Sequence, residues 1–534
     1  MSDSAEVDII IIGSGFGGSV SALRMAEKGY RVLVIEKGRR YRQSDFPKSN
    51  WNLRKYLWLP SFFLYGIQKL TLLKDVLVLH GIGVGGGSLV YANTHLEPPA
   101  TVFDDPRWTD NGWQNRLKPF YRLARKMLGT TSVKTTGESD HFLELIDREL
   151  NACQTFYKVD VGVWFGEPEL TVRDPYFNGD GPDRTGCTYC GACMTGCPVG
   201  AKNTLDQNYL YLAEKLDVRI LAEHEVTGIV PTSTGYHVTA RKSTGIFHPK
   251  QSFEVKRVIL SAGVLGSVNL LQKCRQMGWL PDISTRLGEF VRTNSEAILG
   301  VRLPKDHPRD LNHGIAISAG FYPEPMTHIE TVRFGKGHDV LSLLTTPMVP
   351  HGGRIPSMMR WLVNLIRHPV RMIRSMNPLG WAASTVILLV MQPLSNHLNL
   401  QFKKRWWRMG GRSLNSSRES GGKIPAYIPA GDRVTEKIAQ LTGGTPITSL
   451  SDVFLNVPTT AHILGGCIMA SGPYKGVVDD CGQVFNYPGL YVIDGSIIPA
   501  NLGVNPSLTI TAIAEYVMSR IEKSGENDEL RVLG

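Results

Sequence analysis

The chain has 534 residues, and several things it lacks narrow what it can be. Eight cysteines in such a length make no disulfide framework, which excludes a small stapled secreted scaffold. No apolar run is long enough for a bilayer. The best candidate, residues 379–391, has thirteen residues without a charge, where a span needs about twenty, so it reads as a buried strand or core segment. The N-terminus lacks a basic head followed by an apolar stretch; Asp3, Glu6 and Asp8 run straight into an apolar strand, so a cytoplasmic location is expected. No G-x-S-x-G or H-E-x-x-H string is present, which leaves hydrolase chemistry without support. The net charge is +10, yet no helix-turn-helix or zinc-finger pattern accompanies it, so no nucleic-acid partner is expected. Acid is missing locally too: no Asp or Glu stands between Asp339 and Glu419.

What is present is the composition of a folded soluble protein, 20% charged and 42% hydrophobic, not of a disordered or fibrous one. Residues 7–12 are an apolar run broken only by Asp8 and followed by glycines, which suits a strand buried on both faces of a parallel sheet. Residues 19–28 read as a helix and 31–35 as a second buried strand. Further buried strands are expected at 257–260 and 490–493, with a helix at 508–521. Residues 301–450 differ: segments such as 386–402 alternate, and turn residues are frequent. A mostly antiparallel sheet with covering helices is expected there. The last ten or so residues are polar and are expected to fray.

Gly13-Ser14-Gly15-Phe16-Gly17-Gly18 fits G-x-G-x-x-G, and its context matters more than the string. It follows a strand and opens a helix, and Glu36 ends the next strand eighteen residues after Gly18. Gly13 permits the tight turn, Gly15 lets backbone approach a pyrophosphate, and Gly18 allows close helix packing. The helix N-terminus offers free N–H groups to phosphates, and Glu36 would accept from a ribose diol. Two further features favour FAD over a nicotinamide cofactor. The segment Gly81-Ile82-Gly83-Val84-Gly85-Gly86-Gly87-Ser88 is dense enough in glycine to lie against a flat ring or a diphosphate. Asp494 and Gly495, at the end of a late strand, would be a second anchor. No second G-x-G-x-x-G appears, so a separate NAD domain is not expected. Phe16 and Val226 complete the expected cofactor contacts with Gly13, Gly15, Gly18, Glu36, Gly81, Gly85, Gly86, Ser88, Asp494, Gly495 and Asn505.

Together these residues resemble the glucose-methanol-choline (GMC) oxidoreductases, in the branch of the cholesterol oxidases with non-covalent FAD. The resemblance covers most of the chain. It rests on residues 10–18 with Glu36, on 81–90, on 258–266, on His462-Ile463-Leu464-Gly465-Gly466-Cys467, and on Asp494-Gly495-Ser496 with Gly503-Val504-Asn505-Pro506. It implies an α/β fold: a Rossmann-like FAD-binding domain assembled from discontinuous segments (1–100, 200–300 and 450–534), plus a substrate domain (101–199 and 301–449) with a mainly antiparallel, six-stranded sheet. It implies catalytic roles for His462 and Asn505. Oxidising a carbinol removes a hydride from carbon and a proton from oxygen; a histidine near the hydroxyl suits the proton, and Asn505 could hold the oxygen. The resemblance implies a 3β-hydroxysteroid or similar bulky apolar alcohol as substrate. Steroid oxidases that also shift the ring double bond use a carboxylate in the substrate domain. The acid-free stretch offers Gln392 in the segment expected to line the cavity, so weak or absent isomerisation is expected.

Two features stand apart. Cys187-x2-Cys190-x2-Cys193-x3-Cys197-Pro198 has ferredoxin spacing for an iron–sulfur cluster. The fourth ligand could be Cys197, a distant thiolate, or absent in a three-iron form, and tetrahedral zinc or a thiol-rich packing knot are further readings. A cluster would imply an electron-acceptor protein or quinone; without one, molecular oxygen could take the electrons directly. Second, residues 354–374 hold five arginines and no acid, interleaved with Met358, Met359, Trp361, Leu362, Leu365 and Ile366; residues 58–73 are also rich in large apolar side chains. Residues 403–412 hold five more basic residues beside Trp406 and Trp407. A basic amphipathic helix suits peripheral contact with an anionic membrane, and equally a helix covering the core with a solvated basic face. Competing functions are a terpenoid or long-chain alcohol dehydrogenase, an iron–sulfur flavoprotein electron carrier, and a sterol-binding flavoprotein without turnover.

Overall fold

The computed structural model describes residues 7–150, 154–307, 310–350, 355–404, 412–418 and 424–525. Two sheets organise the molecule. The first has five strands in the order Arg219–Leu221, Val32–Ile35, Ile9–Ile12, Arg257–Leu260, Leu490–Val492, every neighbouring pair parallel. Every side chain of Ile9–Ile12 and Val32–Ile35 is buried, as strands covered on both faces require. Four of the five strands stand where apolar runs predict them. Arg219–Leu221 was not anticipated: it is three residues long with an exposed arginine, and carries little periodicity.

The helices Phe16–Glu27, Gly263–Gln276 and Ser507–Arg520 pack around this sheet. The helix Trp113–Met127, grouped with the substrate part on sequence, packs on the last of these. Its Trp113 and Phe120 meet Tyr516 edge-on, and Tyr121 Oη lies 3.0 Å from Thr509 Oγ1. A three-stranded antiparallel sheet, His224–Thr232 with Gly235–Lys242 and Lys250–Val255, contributes Val226.

The second sheet is antiparallel throughout. Its order is Thr345–Pro347, Thr445–Ser449, Ala297–Arg302, Thr385–Met391, Thr327–Val332, Ala319–Glu324, Tyr157–Lys158. That is seven strands rather than six, the last a two-residue edge. Thr385–Met391 is wholly buried, yet it keeps the period of two. Val386, Leu388 and Val390 pack with Phe142, Ile146, Val434 and Ile438 of the helices Glu138–Glu149 and Pro429–Thr442. Ile387 and Leu389, on the other face, line the central cavity.

The basic amphipathic segment forms two helices, Ser357–Arg367 and Pro369–Met376. Pro369 sits at the first turn of the second, where its missing N–H costs nothing, and it cannot continue the first. Trp406 and Trp407, with Arg405, Arg408 and Arg354, lie outside the described residues. Among the described residues no helix is long and apolar enough to cross a membrane.

Candidate active site

A cavity of about 640 Å³ runs from the glycine loop to the inner face of the antiparallel sheet. At its first end the chain turns from Ile9–Ile12 into Phe16–Glu27. Gly13 adopts φ +97°, and a Cβ there would stand 2.4 Å from Ser261 O, so the turn and the contact both require glycine. A Cβ on Gly18 would stand 2.1 Å from Gly13 O. Gly15 behaves differently: a Cβ there would meet nothing within 4 Å, because the residue faces the cavity. Glu36 closes this end. Its carboxylate accepts from Ser14 N (3.0 Å), Ser14 Oγ (2.7 Å) and Gly38 N (2.8 Å), and burial raises its pKa.

His462 and Asn505 meet the cavity at its middle. His462 follows the strand Thr459–Thr460, and its backbone N–H donates to Thr460 Oγ1 at 3.0 Å. Its Nδ1 lies 3.1 Å from Glu296 Oε2, which also accepts from Thr460 Oγ1 at 2.8 Å. Nε2 is therefore the ring nitrogen left for a substrate hydroxyl. Burial alone would favour the neutral imidazole. The Glu296 carboxylate outweighs it, Glu330 adds to the pull, and the His462 pKa is raised. Glu296 is presented by the left-handed pair Asn294 (φ 61°) and Ser295 (φ 42°). Asn294 also pins the loop carrying Asn505: its Nδ2 donates to Val504 O at 3.0 Å, and its Oδ1 accepts from Gly503 N at 2.8 Å.

Asn505 Nδ2 donates to Glu330 Oε2 at 3.1 Å. Glu330 is fully buried, and its Oε1 and the Asn505 Oδ1 have no protein partner. Burial pushes the Glu330 pKa up to about 8; the Asn505 hydrogen bond and the His462 charge act against that rise, and Glu296 adds to it. The centre is thus an imidazole coupled to two carboxylates, with an amide bonded to the second.

Residues 181–276 and 430–514 match GMC oxidoreductase, and residues 8–46 match an FAD binding domain. A cholesterol oxidase of Acinetobacter baumannii is 44% identical over 529 residues, 97% of this chain and 94% of the relative. The chain belongs to the GMC oxidoreductase family, in the cholesterol oxidase branch. A cholesterol oxidase of Mycobacterium tuberculosis is also 44% identical, over 536 residues, 98% of this chain and 92% of its own. A long-chain-alcohol oxidase of Arabidopsis thaliana is 22% identical across 97% of this chain and 68% of its own. The solved pyridoxine 4-oxidase from Mesorbium loti superposes with a TM-score of 0.63 at 15% identity, covering 96% of this chain and 99% of that one, and shares the fold. This GMC oxidoreductase is an FAD-dependent enzyme acting on alcohols.

FAD fits the residues present. Gly15 and Gly263 present bare backbone to open space, the cradle that a side chain would fill. Gly13, Phe16, Glu36, Gly81, Gly86, Val226, Asp494, Gly495 and Asn505 all line the same cavity. Phe16 is held edge-on to Tyr91, 5.5 Å between ring centres. Asp494 already accepts from Ser496 N (2.8 Å) and Ser267 Oγ (2.5 Å), so its carboxylate shapes the loop. Three expected contacts, Gly18, Gly85 and Ser88, do not line the cavity. Gly18 serves helix packing, while Ser88 spends its hydroxyl on Gly85 O (2.7 Å) and Leu205 N (3.0 Å), holding the glycine loop in shape.

Gln392 corrects a sequence expectation. It does not line the cavity: Nε2 donates to Thr327 Oγ1 at 2.8 Å. The carboxylate near the centre is Glu330, on the neighbouring strand Thr327–Val332, opposite Leu389 of Thr385–Met391. Glu296 was missed as well. The signal for Glu330 lies in pairing, since it is an acid inside a buried strand; Glu296 stands just before the strand Ala297–Arg302. Cys187, Cys190, Cys193 and Cys197 converge on one small pocket, whereas Cys467 is buried packing.

Proposed function

We propose that this enzyme oxidises the hydroxyl of a 3β-hydroxysteroid, or a similarly bulky apolar alcohol, to the ketone. The observation that carries this reading is the far end of the cavity. Beyond His462 it is walled by Ile298, Val332, Phe334, Leu341, Trp381 and Ile387, a large apolar chamber that continues from the cofactor cradle. The 44% identity to cholesterol oxidases supports the same class. Bound FAD supplies the hydride acceptor. The chain supplies the rest: His462 Nε2 takes the hydroxyl proton, Glu296 holds the ring and stabilises the imidazolium, and Asn505 orients the oxygen. The apolar walls exclude water from the reacting carbon. A panel of alcohols tests the substrate class: a 3β-hydroxysterol should give the highest kcat/KM, and a preference for long-chain primary alcohols would overturn the steroid reading. The relatives' names make molecular oxygen the first acceptor to supply.

Glu330 favours a second activity at the same centre. A buried carboxylate with a pKa near 8, bonded to Asn505, suits moving a carbon-bound proton of a 5-ene-3-ketone to give the 4-ene-3-ketone. This replaces the expectation of weak isomerisation drawn from Gln392.

A sterol resides in membranes, and the hairpin 357–376 suits docking on one. The helix Ser357–Arg367 buries no residue completely, and Ile366 is 79% exposed. Ile373, Val370 and Leu379 are exposed beside Arg367, Arg371 and Arg374, with no acid between residues 340 and 418. Such a face suits an anionic bilayer. Trp361 ties the hairpin to the cavity's own sheet, donating from Nε1 to Thr346 Oγ1 at 2.7 Å. Thr345, next in the same strand, lines the cavity.

A further inference from the structure

The cysteine loop takes no part in hydride or proton transfer, yet one of its side chains reaches the cavity. Cys193–Thr195 is a single 3-10 turn, and Met194 at its centre lines the cavity. Met194 packs on the cluster of Phe334, Trp381, Ala382, Ile387 and Ile447, which surrounds the distal apolar chamber. The thiols around it do not make a cluster site. Cys187, Cys190, Cys193 and Cys197 leave about 10 Å³ between them, which no iron–sulfur core fits. Burial pushes the Cys193 thiol up to about 11, so it stays protonated at neutral pH and packs as a small apolar group.

The turn is clamped on both sides of Met194. The buried Lys202 donates from Nζ to Cys193 O at 2.7 Å, and to Leu89 O (3.1 Å) and Tyr91 O (2.9 Å) as well. On the other side, Thr195 Oγ1 lies 2.8 Å from His338 Nδ1, and His338 Nε2 donates to Lys48 O at 3.1 Å. The loop also seats directly on the segment that carries Phe334. A Cβ on Gly335 would stand 2.6 Å from Cys190 O, and one on Gly191 would stand 2.7 Å from Asn312 O, so both contacts need bare backbone. Gly191 N donates to Gly314 O at 2.8 Å, and Gly314 N to Tyr189 O at 2.7 Å. A fixed backbone thus presents one unbranched, adaptable thioether to the chamber.

Sheet register places Met194 at the end away from the chemistry. Glu330 pairs with Leu389 and Val332 with Ile387, so both strands step outward by one inner-face row, about 7 Å. Phe334 lies past the end of Thr327–Val332, farther out still. Met194 packs on Phe334 and Ile387, the outer residues of this series. An alcohol whose hydroxyl meets His462 therefore points its far end at Met194.

We propose that Met194 is a specificity-determining residue: it closes the far end of the chamber and sets how long a hydrocarbon tail the alcohol can carry behind its hydroxyl. The inference rests on the reading of a bulky apolar alcohol, but not on the steroid nucleus. The part of the substrate recognised here is aliphatic. A polar group at that end would be left unpaired among Met194, Phe334, Trp381 and Ile387. The cysteine loop is, on this account, the mount that holds the end wall in place.

The test is steady-state kinetics of the full-length holoenzyme on a pair of 3β-hydroxysterols that share a nucleus, one with a branched hydrocarbon tail and one without. Met194→Trp should raise KM for the tailed sterol at least about ten-fold, while kcat, and KM for the tailless sterol, stay within about three-fold. Met194→Ala should raise kcat/KM at least about three-fold for a sterol whose tail is lengthened by a carbon or two. Met194→Leu, of similar volume, should keep the wild-type profile. Equal losses on the tailed and tailless sterols, or unchanged ratios in both Met194→Trp and Met194→Ala, would overturn the inference. The flavin absorbance of each variant checks that the holoenzyme is intact; if Met194→Trp loses flavin, Met194→Ala decides alone. Wild-type enzyme that oxidises neither sterol but does oxidise long-chain primary alcohols overturns the steroid reading instead. The same variants are then compared across chain length: Met194→Trp should shorten the longest chain accepted and Met194→Ala extend it, and an unchanged chain-length profile overturns the role of Met194.

Discussion

Replacing His462 by alanine removes the proposed proton acceptor while leaving the cofactor cradle intact. The expected loss in kcat is about 10²–10⁴-fold with FAD content unchanged, read from steady-state rates and the flavin absorbance. Because the Glu296 carboxylate outweighs burial, the His462 pKa is raised. The neutral ring that accepts a proton is therefore reached only above histidine's ordinary range, and kcat/KM should climb with pH there. Glu296→Gln removes the charge but keeps an oxygen for Thr460, so the ascending limb should move to lower pH; an unmoved limb would contradict the pairing. Glu330 has the opposite linkage to an ordinary carboxylate. Between the usual 4.5 and about 8 the folded chain keeps a proton that the unfolded chain has lost. Its contribution to stability is present below 4.5 and is lost as pH rises through about 8. Glu330→Gln should spare alcohol oxidation within a few-fold, abolish conversion of 5-ene-3-ketone to 4-ene-3-ketone, and flatten that part of the stability profile. Isomerisation in the wild type should rise through pH of about 8, as the carboxylate ionises.

At the scale of elements, the hairpin 357–376 makes the clearest prediction. Ile366→Glu with Ile373→Glu places acids in the exposed apolar face without touching the core. Flotation with anionic vesicles should weaken at least about ten-fold and the wild-type binding should fall with added salt. Binding that is absent in the wild type, or insensitive to both changes, would remove the docking role. The elements also explain what could be read in advance. Continuous apolar runs at 9–12, 32–35 and 258–260 stand out because both faces of a parallel strand are buried. The three-residue strand Arg219–Leu221 has no such run. His462 and Asn505 were legible because each sits in a local motif. Glu330 was not, because it joins the site through pairing with a strand more than fifty residues away in the chain, Thr385–Met391; Glu296 was not, because it follows the left-handed pair Asn294 and Ser295 just before the strand Ala297–Arg302. Gln392 stands one residue past Thr385–Met391, whereas the acid stands across the ladder at Glu330. Of the expected contacts in the glycine loop, Gly81 and Gly86 line the cavity, whereas Gly85 and Ser88 turn inward to hold its shape.

At the scale of the whole molecule, one cavity joins the parallel and antiparallel sheets, and this joint is what makes alcohol oxidation possible. The nucleotide end is built by glycines and the terminus of a helix. The chamber end is built by the inner face of a sheet whose outer face packs on helices. The loops that carry His462 and Asn505 meet the same cavity. The direct test is the absorbance spectrum of the purified full chain, held anaerobically, before and after a 3β-hydroxysterol is added in detergent. The flavin bands should bleach in the wild type and persist in His462→Ala over the same interval. A bound flavin that stays oxidised with the sterol, yet bleaches with a long-chain primary alcohol, would contradict the steroid assignment and leave alcohol oxidation by this fold in place.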